Sequence, residues 1–323
     1  MQKLRKRKQL NALIILSVIS IILIYFFVSS GLTPNNFNYS FPRRIRRVVA
    51  IIFSGSAIVI ASLIFQTIAN NNILTPGVMG LDSLYQFIQT FIVFAFGSRT
   101  LTTMTSQQDF ILSCTLMMIF SIFLYKLVFK NGNRNIFTLV LVGMVFGSFF
   151  GSLSSFMQAL IDPNEFLIVQ GRMFASFNSV NTDLLTISII IITTVLLYSM
   201  YNAKKLDVIS LGREHSINLG INYDREVLVY LMIVSILTSV STALVGPITF
   251  LGILIVNLTR QLFKTHKHSL LSLGSSIIAL IALIGGQFLV ERVFSFDTTV
   301  SIIINLFGGI YFIFLLLKER TKA

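Results

Sequence analysis

Apolar residues fall along this chain in long unbroken runs, not in the alternation of a half-buried strand or the one-sided stripe of a surface helix. The runs lie near 10 to 28, 48 to 69, 78 to 96, 110 to 126, 136 to 160, 184 to 202, 227 to 245, 247 to 262, 269 to 290 and 299 to 317. A helix needs about 20 mostly apolar residues to cross the hydrocarbon core of a bilayer, so the pattern predicts ten membrane-spanning helices. The eighth run opens at Gly246 and Pro247. Proline removes a backbone donor that lipid cannot replace, so this span is expected to be short and irregular. None of the connections has room for a soluble catalytic domain of usual size. The expected fold is all-α: a single transmembrane domain over residues 1–323, a polytopic helical bundle whose function resides in its helices and short loops.

Composition supports this reading. Hydrophobic residues make up 54% of the 323 and charged residues only 11%, too few polar side chains to coat a water-soluble body of this size. Lys3, Arg5, Lys6, Arg7 and Lys8 precede the first run, which lacks a small-residue cleavage site and is read as a retained helix. With the N-terminus in the cytoplasm, most Lys and Arg fall on that side, as the positive-inside rule requires. An even number of spans returns Lys318, Arg320 and Lys322 to the same side. The net charge of +13 then reflects topology and attraction to membrane lipid, and argues for no nucleic-acid partner. One group breaks the rule: Arg43, Arg44, Arg46 and Arg47 stand together on the outer side. They fit either a lipid headgroup anchor or a dock for an acidic partner, with Arg292 at the outer end of the ninth span beside them.

Few residues carry chemistry. Asp82 is the only carboxylate within the ten runs, placed where a helix N-terminus favours negative charge, so ion-coupled transport, which needs ionisable groups in the membrane, is poorly supported. Gln66, Gln86, Gln89, Gln158, Asn257 and Asn305 can bond between helices or line a polar path. There is no phosphate loop, so nucleotide is not bound by that route. His215, His266 and His268 fall in loops with no cysteine or carboxylate at ligand spacing, and no metal site is expected. Cys114, the single cysteine, is expected to pack. Gly143, Gly147 and Gly151 recur every fourth residue with Ser148, Ser152 and Ser155 nearby; Gly285, Gly286, Gly308 and Gly309 are similar. These small residues suit close helix packing or the border of a solute path. Residues 161 to 183 contain the helix stop Asp162-Pro163-Asn164 and then a stretch suited to a short surface helix. Residues 202 to 225 read as two short amphipathic helices joined at a bend.

With these residues in view the sequence resembles, nearly end to end, the FecCD-type permeases, membrane subunits of ABC importers for iron-siderophores, haem and cobalamin. Arg44-Ile45-Arg46-Arg47 is similar to the family's arginine, apolar, proline, arginine motif, with Arg46 in the proline position. Asn71-Asn72-Ile73-Leu74-Thr75-Pro76-Gly77 resembles its Pro-Gly turn at Asn71, Pro76 and Gly77. Leu211-Gly212 and Leu219-Gly220, with Ser216 between, resemble the segment that touches the ATPase. Gly246, Pro247, Gly252 and Arg260 match the strongest motif, although Val256-Asn257 replaces its proline-histidine pair. The resemblance implies a type II ABC importer permease in a bacterial cell membrane with both termini cytoplasmic. It implies two cytoplasmic ABC ATPase subunits holding ATP and Mg, no cofactor and no catalysis on this chain, and an external substrate-binding lipoprotein docked on Arg43, Arg44, Arg47 and Arg292. A second permease is also implied, and the departures from the motifs favour a heterodimer. A path beside Gly143, Gly147, Gly151, Ser155, Asn305 and Gly308 would then carry an iron-siderophore, with haem or cobalamin as alternatives. An ion-coupled transporter is the rival of a different class.

Overall fold

The structure, a computed structural model, describes residues 2–97, 104–129, 136–178, 180–295 and 298–320. The terminal basic side chains Lys3, Arg5, Lys6, Lys318, Arg320 and Lys322 lie outside what is described. The described residues form helices and turns and no strand: α1 (Gln2–Ser29), α2 (Phe37–Ile68), a 3-10 turn (Pro76–Met79), α3 (Leu81–Phe96), α4 (Ser106–Phe129), α5 (Ile136–Leu160), α6 (Pro163–Met173), α7 (Thr182–Tyr201), α8 (Ala203–Ile209), α9 (Arg213–Asn218), α10 (Tyr223–Val245), α11 (Leu251–Phe263), α12 (His268–Arg292) and α13 (Val300–Arg320). Seven of these are long and apolar enough to cross a membrane, and α3, α11 and α13 supply shorter apolar helices. Together they correspond to the ten predicted runs.

Composition decides which helix goes where. Lipid tails are as apolar as leucine, so apolarity alone does not draw one helix to another; small residues and interhelical hydrogen bonds do. Helix α2 carries Ser54, Gly55, Ala57, Ala61 and Ser62 and is buried along most of its length, with α10 beside it, whereas α1 and α5 face outward over most of theirs. A Cβ on Gly55 would lie 2.7 Å from Cδ1 of Leu283 on α12, so the small residue lets the leucine side chain pack against the α2 backbone. Some buried hydroxyls are satisfied within their own helices, as Ser62 is by Ile58 O and Thr259 by Ile255 O, and others reach across, as Ser241 of α10 donates to Ser54 O of α2.

Two spans are half-length. Helix α3 has 16 residues and α11 has 13, about 24 and 20 Å at 1.5 Å per residue, against a hydrocarbon core of about 30 Å. Each is completed by non-helical chain that re-enters the bundle. Residues 69–80 turn back from the end of α2, and residues 246–250 descend from the end of α10. Predicted irregularity at Gly246 and Pro247 is thus observed, and a second break precedes α3. The helix stop expected at Asp162-Pro163-Asn164 is observed, α5 ending at Leu160, and Asp162 also caps the short helix that follows: its carboxylate accepts from Asn164 N at 2.9 Å, and Pro163 takes the first position of α6, where no backbone donor is missed.

Candidate transport path and docking sites

The two re-entrant segments meet in mid-bundle. Asn71 forms the first bend by accepting from Ile73 N at 2.9 Å, and Pro76 opens the 3-10 turn. Gly252 lies against Ser62, whose Oγ would be 1.9 Å from an added Cβ, and Asn257 donates to Asn72 O at 2.9 Å, which ties α11 to the first segment. Between the segments is a cavity of about 20 Å³, lined by Ser62, Thr75, Gly77, Asp82, Thr242 and Thr249 among others. That is room for about one water. Asp82 receives a hydrogen bond from Thr242 and sits in the first turn of α3, at the positive end of that helix's dipole.

The candidate path glycines separate into two groups. An added Cβ on Gly143 would be 2.7 Å from Met79 Cα, and on Gly147 3.3 Å from Gly80 Cα; Gly308 similarly abuts Phe250. These three pack backbone on neighbouring chain and border no open space. Gly80 itself has φ +81°, and a Cβ added there would lie 3.0 Å from Gly143 O, so glycine is needed on both sides of the contact. Gly151 has nothing within 4 Å, and Ser155 is exposed on the same helix. Asn305 Oδ1, and Nε and Nη2 of Arg260, are buried and have no hydrogen-bond partner among the described residues.

At the end of the bundle that carries the arginines, the four side chains do different work. Arg44 Nη1 donates to Phe27 O at 2.9 Å, Val28 O at 3.1 Å and also Ser30 O, and Arg292 Nη2 donates to Ser30 O at 2.7 Å. Both cap the last carbonyls of α1, groups that a helix leaves unpaired. Arg47 pairs with Glu291 of α12, the side chains being 14% and 9% exposed, and Gln287 supports the same carboxylate at 3.0 Å. Arg44 and Arg47, expected at the dock, are half-buried, and each commits Nη1 to a partner within the chain. Arg43, stacked over Tyr39 at 4.2 Å, and Arg46, bonded to Thr182, stay exposed. Together with Arg47, Phe177, Asn178 and Val180 they line an open cleft of about 210 Å³.

A second cleft at this end, about 320 Å³, is lined by Tyr85, Asp109, Arg172, Asn181 and Val245 among others. Asp109 accepts from Arg172 at 2.6 Å and from Gln89 at 2.7 Å, joining α4, α6 and α3. Sequence reading missed this pair, because Asp109 stands one residue before an apolar run and was excluded from it; the helix begins earlier, at Ser106.

At the opposite end, α8 and α9 form the predicted pair of short helices. Gly212 (φ +95°) and Gly220 (φ +84°) bend the chain at either end of α9 in the left-handed region that glycine tolerates. Leu211, Ile217 and Leu219 project from it, 55%, 47% and 62% exposed. Ser216 is fully buried, its hydroxyl donating to Val208 O or Gly212 O, so the expectation that it touches a partner is corrected; it braces the bend. Another correction concerns His268. It is the first residue of α12, only 2% exposed, and bonds to Asp207 of α8, a carboxylate 61 residues away that spacing rules do not find. Burial pushes the Asp207 carboxyl up, but hydrogen bonds from the ring and backbone of His268, with the charge of Lys267, outweigh it and hold the group below the usual range. The search for clusters of metal-ligating side chains finds none among the described residues.

Broken helices meeting at mid-bundle, with polar clefts at one end and a glycine-bent helical pair at the other, define a membrane permease. The chain belongs to the FecCD transport family, whose model matches residues 9–318. It is 54% identical over 319 residues to the petrobactin import system permease protein YclO of Bacillus subtilis, covering 99% of this chain and 100% of that one. To FatC, a petrobactin import system permease of Bacillus anthracis, it is 36% identical over 86% of this chain and 79% of the other. Each organism also has a second similar petrobactin permease, YclN and FatD, at 25%. A solved metal-chelate type ABC transporter in an inward-facing conformation superposes with a TM-score of 0.81 at 18% identity, covering 95% of this chain and 99% of that one.

Proposed function

We propose that this chain is one half of the membrane path of an ATP-driven importer for iron-siderophore complexes, with petrobactin as the first substrate to test. The observation that carries the reading is the end-to-end 54% identity to YclO. A second, different permease completes the path, as the presence of two such permeases in each relative's organism suggests. Two ABC ATPase subunits bind ATP and Mg in the cytoplasm and receive Leu211, Ile217 and Leu219, apolar side chains that water disfavours and a groove on a partner would bury. Gly212 and Gly220 set their presentation. The opposite end faces outward and takes a substrate-binding lipoprotein, with Arg43 and Arg46 as the free cations that meet its acidic side chains. Arg44, Arg47 and Arg292 shape that surface from beneath. Both termini are then cytoplasmic, in a bacterial cell membrane.

Transport is alternating access, in which the mid-bundle joint at Asp82, Thr75 and Gly252 lets the short helices α3 and α11 shift relative to α2. The test is uptake of radioiron-labelled petrobactin by a Bacillus subtilis strain lacking YclO and supplied with this chain. Restored uptake that stops on ATP depletion is expected. Uptake that persists without ATP and collapses with the ion gradient would replace this reading with a secondary transporter, and no uptake of petrobactin would reassign the substrate.

A further inference from the structure

We propose that His268 is a positioning residue for transport, the pin through which the α8–α9 pair moves the membrane helices. The inference rests on the proposed role of that pair in contacting an ATPase. Three elements converge on one imidazole. Both its backbone N and its Nδ1 lie 2.7 Å from Asp207 Oδ1 on α8. Nε2 lies 2.8 Å from Thr67 Oγ1, in the last turn of α2. The ring itself opens α12.

The carboxylate can only accept, so Nδ1 carries a proton and donates it to Asp207. The imidazole is a flat, rigid spacer, 2% exposed, and Ala203, Leu206 and Ile209 of α8 are buried as well. A displacement of α8 therefore reaches α2 and α12 without slack in a flexible side chain. These two helices pack along one another, with Leu283 against Gly55, so they receive it together.

The other tethers of the pair all run to α10. Lys205 bonds Glu226 at 2.7 Å with the lysine 41% exposed, and Arg213 reaches Asp224 at 3.5 Å with the arginine 58% exposed. Ion pairs so open to water contribute little. Tyr230 donates to Asn202 O at 2.8 Å, a neutral bond to the hinge residue before α8. The link through His268 is thus, among the described residues, the polar one that joins the pair to α2 and α12, where α8 also packs directly, while the other polar tethers hold it to α10. Helix α10 packs along α2 in turn, so a pull on the pair moves α2, α10 and α12 together relative to α3, which packs mainly on α5.

The test reconstitutes the importer in vesicles, with the second permease, ATPase and binding protein, and measures iron-siderophore imported per ATP hydrolysed. His268→Ala is expected to assemble and hydrolyse ATP near the wild-type rate while import per ATP falls about tenfold, within the range of coupling between distant sites. Thr67→Val, which exchanges a hydroxyl for a methyl of the same shape and leaves Asp207 bonded, is expected to fall in the same direction by less. Adding Asp207→Ala to His268→Ala is expected to change nothing further. If His268→Ala does not assemble, Thr67→Val decides. Unchanged import per ATP in the assembled variants overturns the proposal, as does hydrolysis that falls in proportion to import, which would mark a merely structural bond. Failure of the wild-type assembly to import at all would instead overturn the transport reading on which the pin depends.

Discussion

Arg44 and Arg46 are both basic and stand two positions apart, yet one closes the end of a helix and the other faces solvent. The pattern of charge made the group visible, but not the division of labour, because the acceptors that consume Arg44 are backbone carbonyls and carry no mark in the sequence. Arg44→Ala is expected to lower thermal stability, by about 1–3 kcal/mol for carbonyls left without their charged donor, with a smaller effect on docking. Arg43→Glu with Arg46→Glu is expected to do the reverse, weakening binding-protein affinity most at low salt, where exposed charges are least screened. Titration of the lipoprotein onto vesicle-embedded permease at two ionic strengths checks both. Arg47 was recognised by its motif, whereas its partner Glu291 lies 244 residues away. Removing one member of a buried ion pair strands the other, so Glu291→Gln is expected to cost about 3–5 kcal/mol. Replacing both, as Arg47→Met with Glu291→Leu, is expected to recover most of that loss in thermal unfolding.

Spans are legible in sequence because apolarity is a local property, and so is the break at Pro247. The second break, before α3, was harder to see. Leu74, Val78, Met79 and Leu81 make residues 74–81 look as apolar as a helix, and the re-entrant course becomes evident only from Gly77 and Gly80 meeting Asp82 and α5 in space. For Gly143, Gly147 and Gly151 the sequence favoured packing over a path; backbone distances put the first two against neighbouring chain and leave Gly151 in open space. Asp82 accepts from Thr242, so Asp82→Leu, which leaves that buried hydroxyl without its acceptor, is expected to destabilise by about 1–3 kcal/mol. The thermal midpoint of the purified permease reads it, with α3 exchanging its amides faster. In the cytoplasmic pair, Gly212→Pro cannot adopt φ +95° and is expected to leave ATP hydrolysis in the assembled complex while import falls. ATPase and uptake assays on the same preparation separate these effects.

Across the whole molecule the two ends have been made differently: one from cations and polar clefts, the other from glycine bends and bare leucines, with a joint of half-helices between them. That division was readable in outline from charge and motif, whereas the links that run through the bundle were not, since each joins residues far apart in the chain. The joint is anchored on its outer flank by Gly80 against Gly143, a contact so tight that Gly143→Ala would put a methyl 2.7 Å from Met79 Cα. A cost of about 1–3 kcal/mol is expected, against almost none for Gly151→Ala, which has open space; comparing the thermal midpoints of the two purified variants tests the difference. This contact also bears on how such a protein can change over evolutionary time. Any lineage that enlarges residue 143 has to rebuild the turn at 78–80 in the same period, so these positions should drift together or not at all, while residue 151, two turns of helix away, is left free to follow whatever cargo the descendant carries.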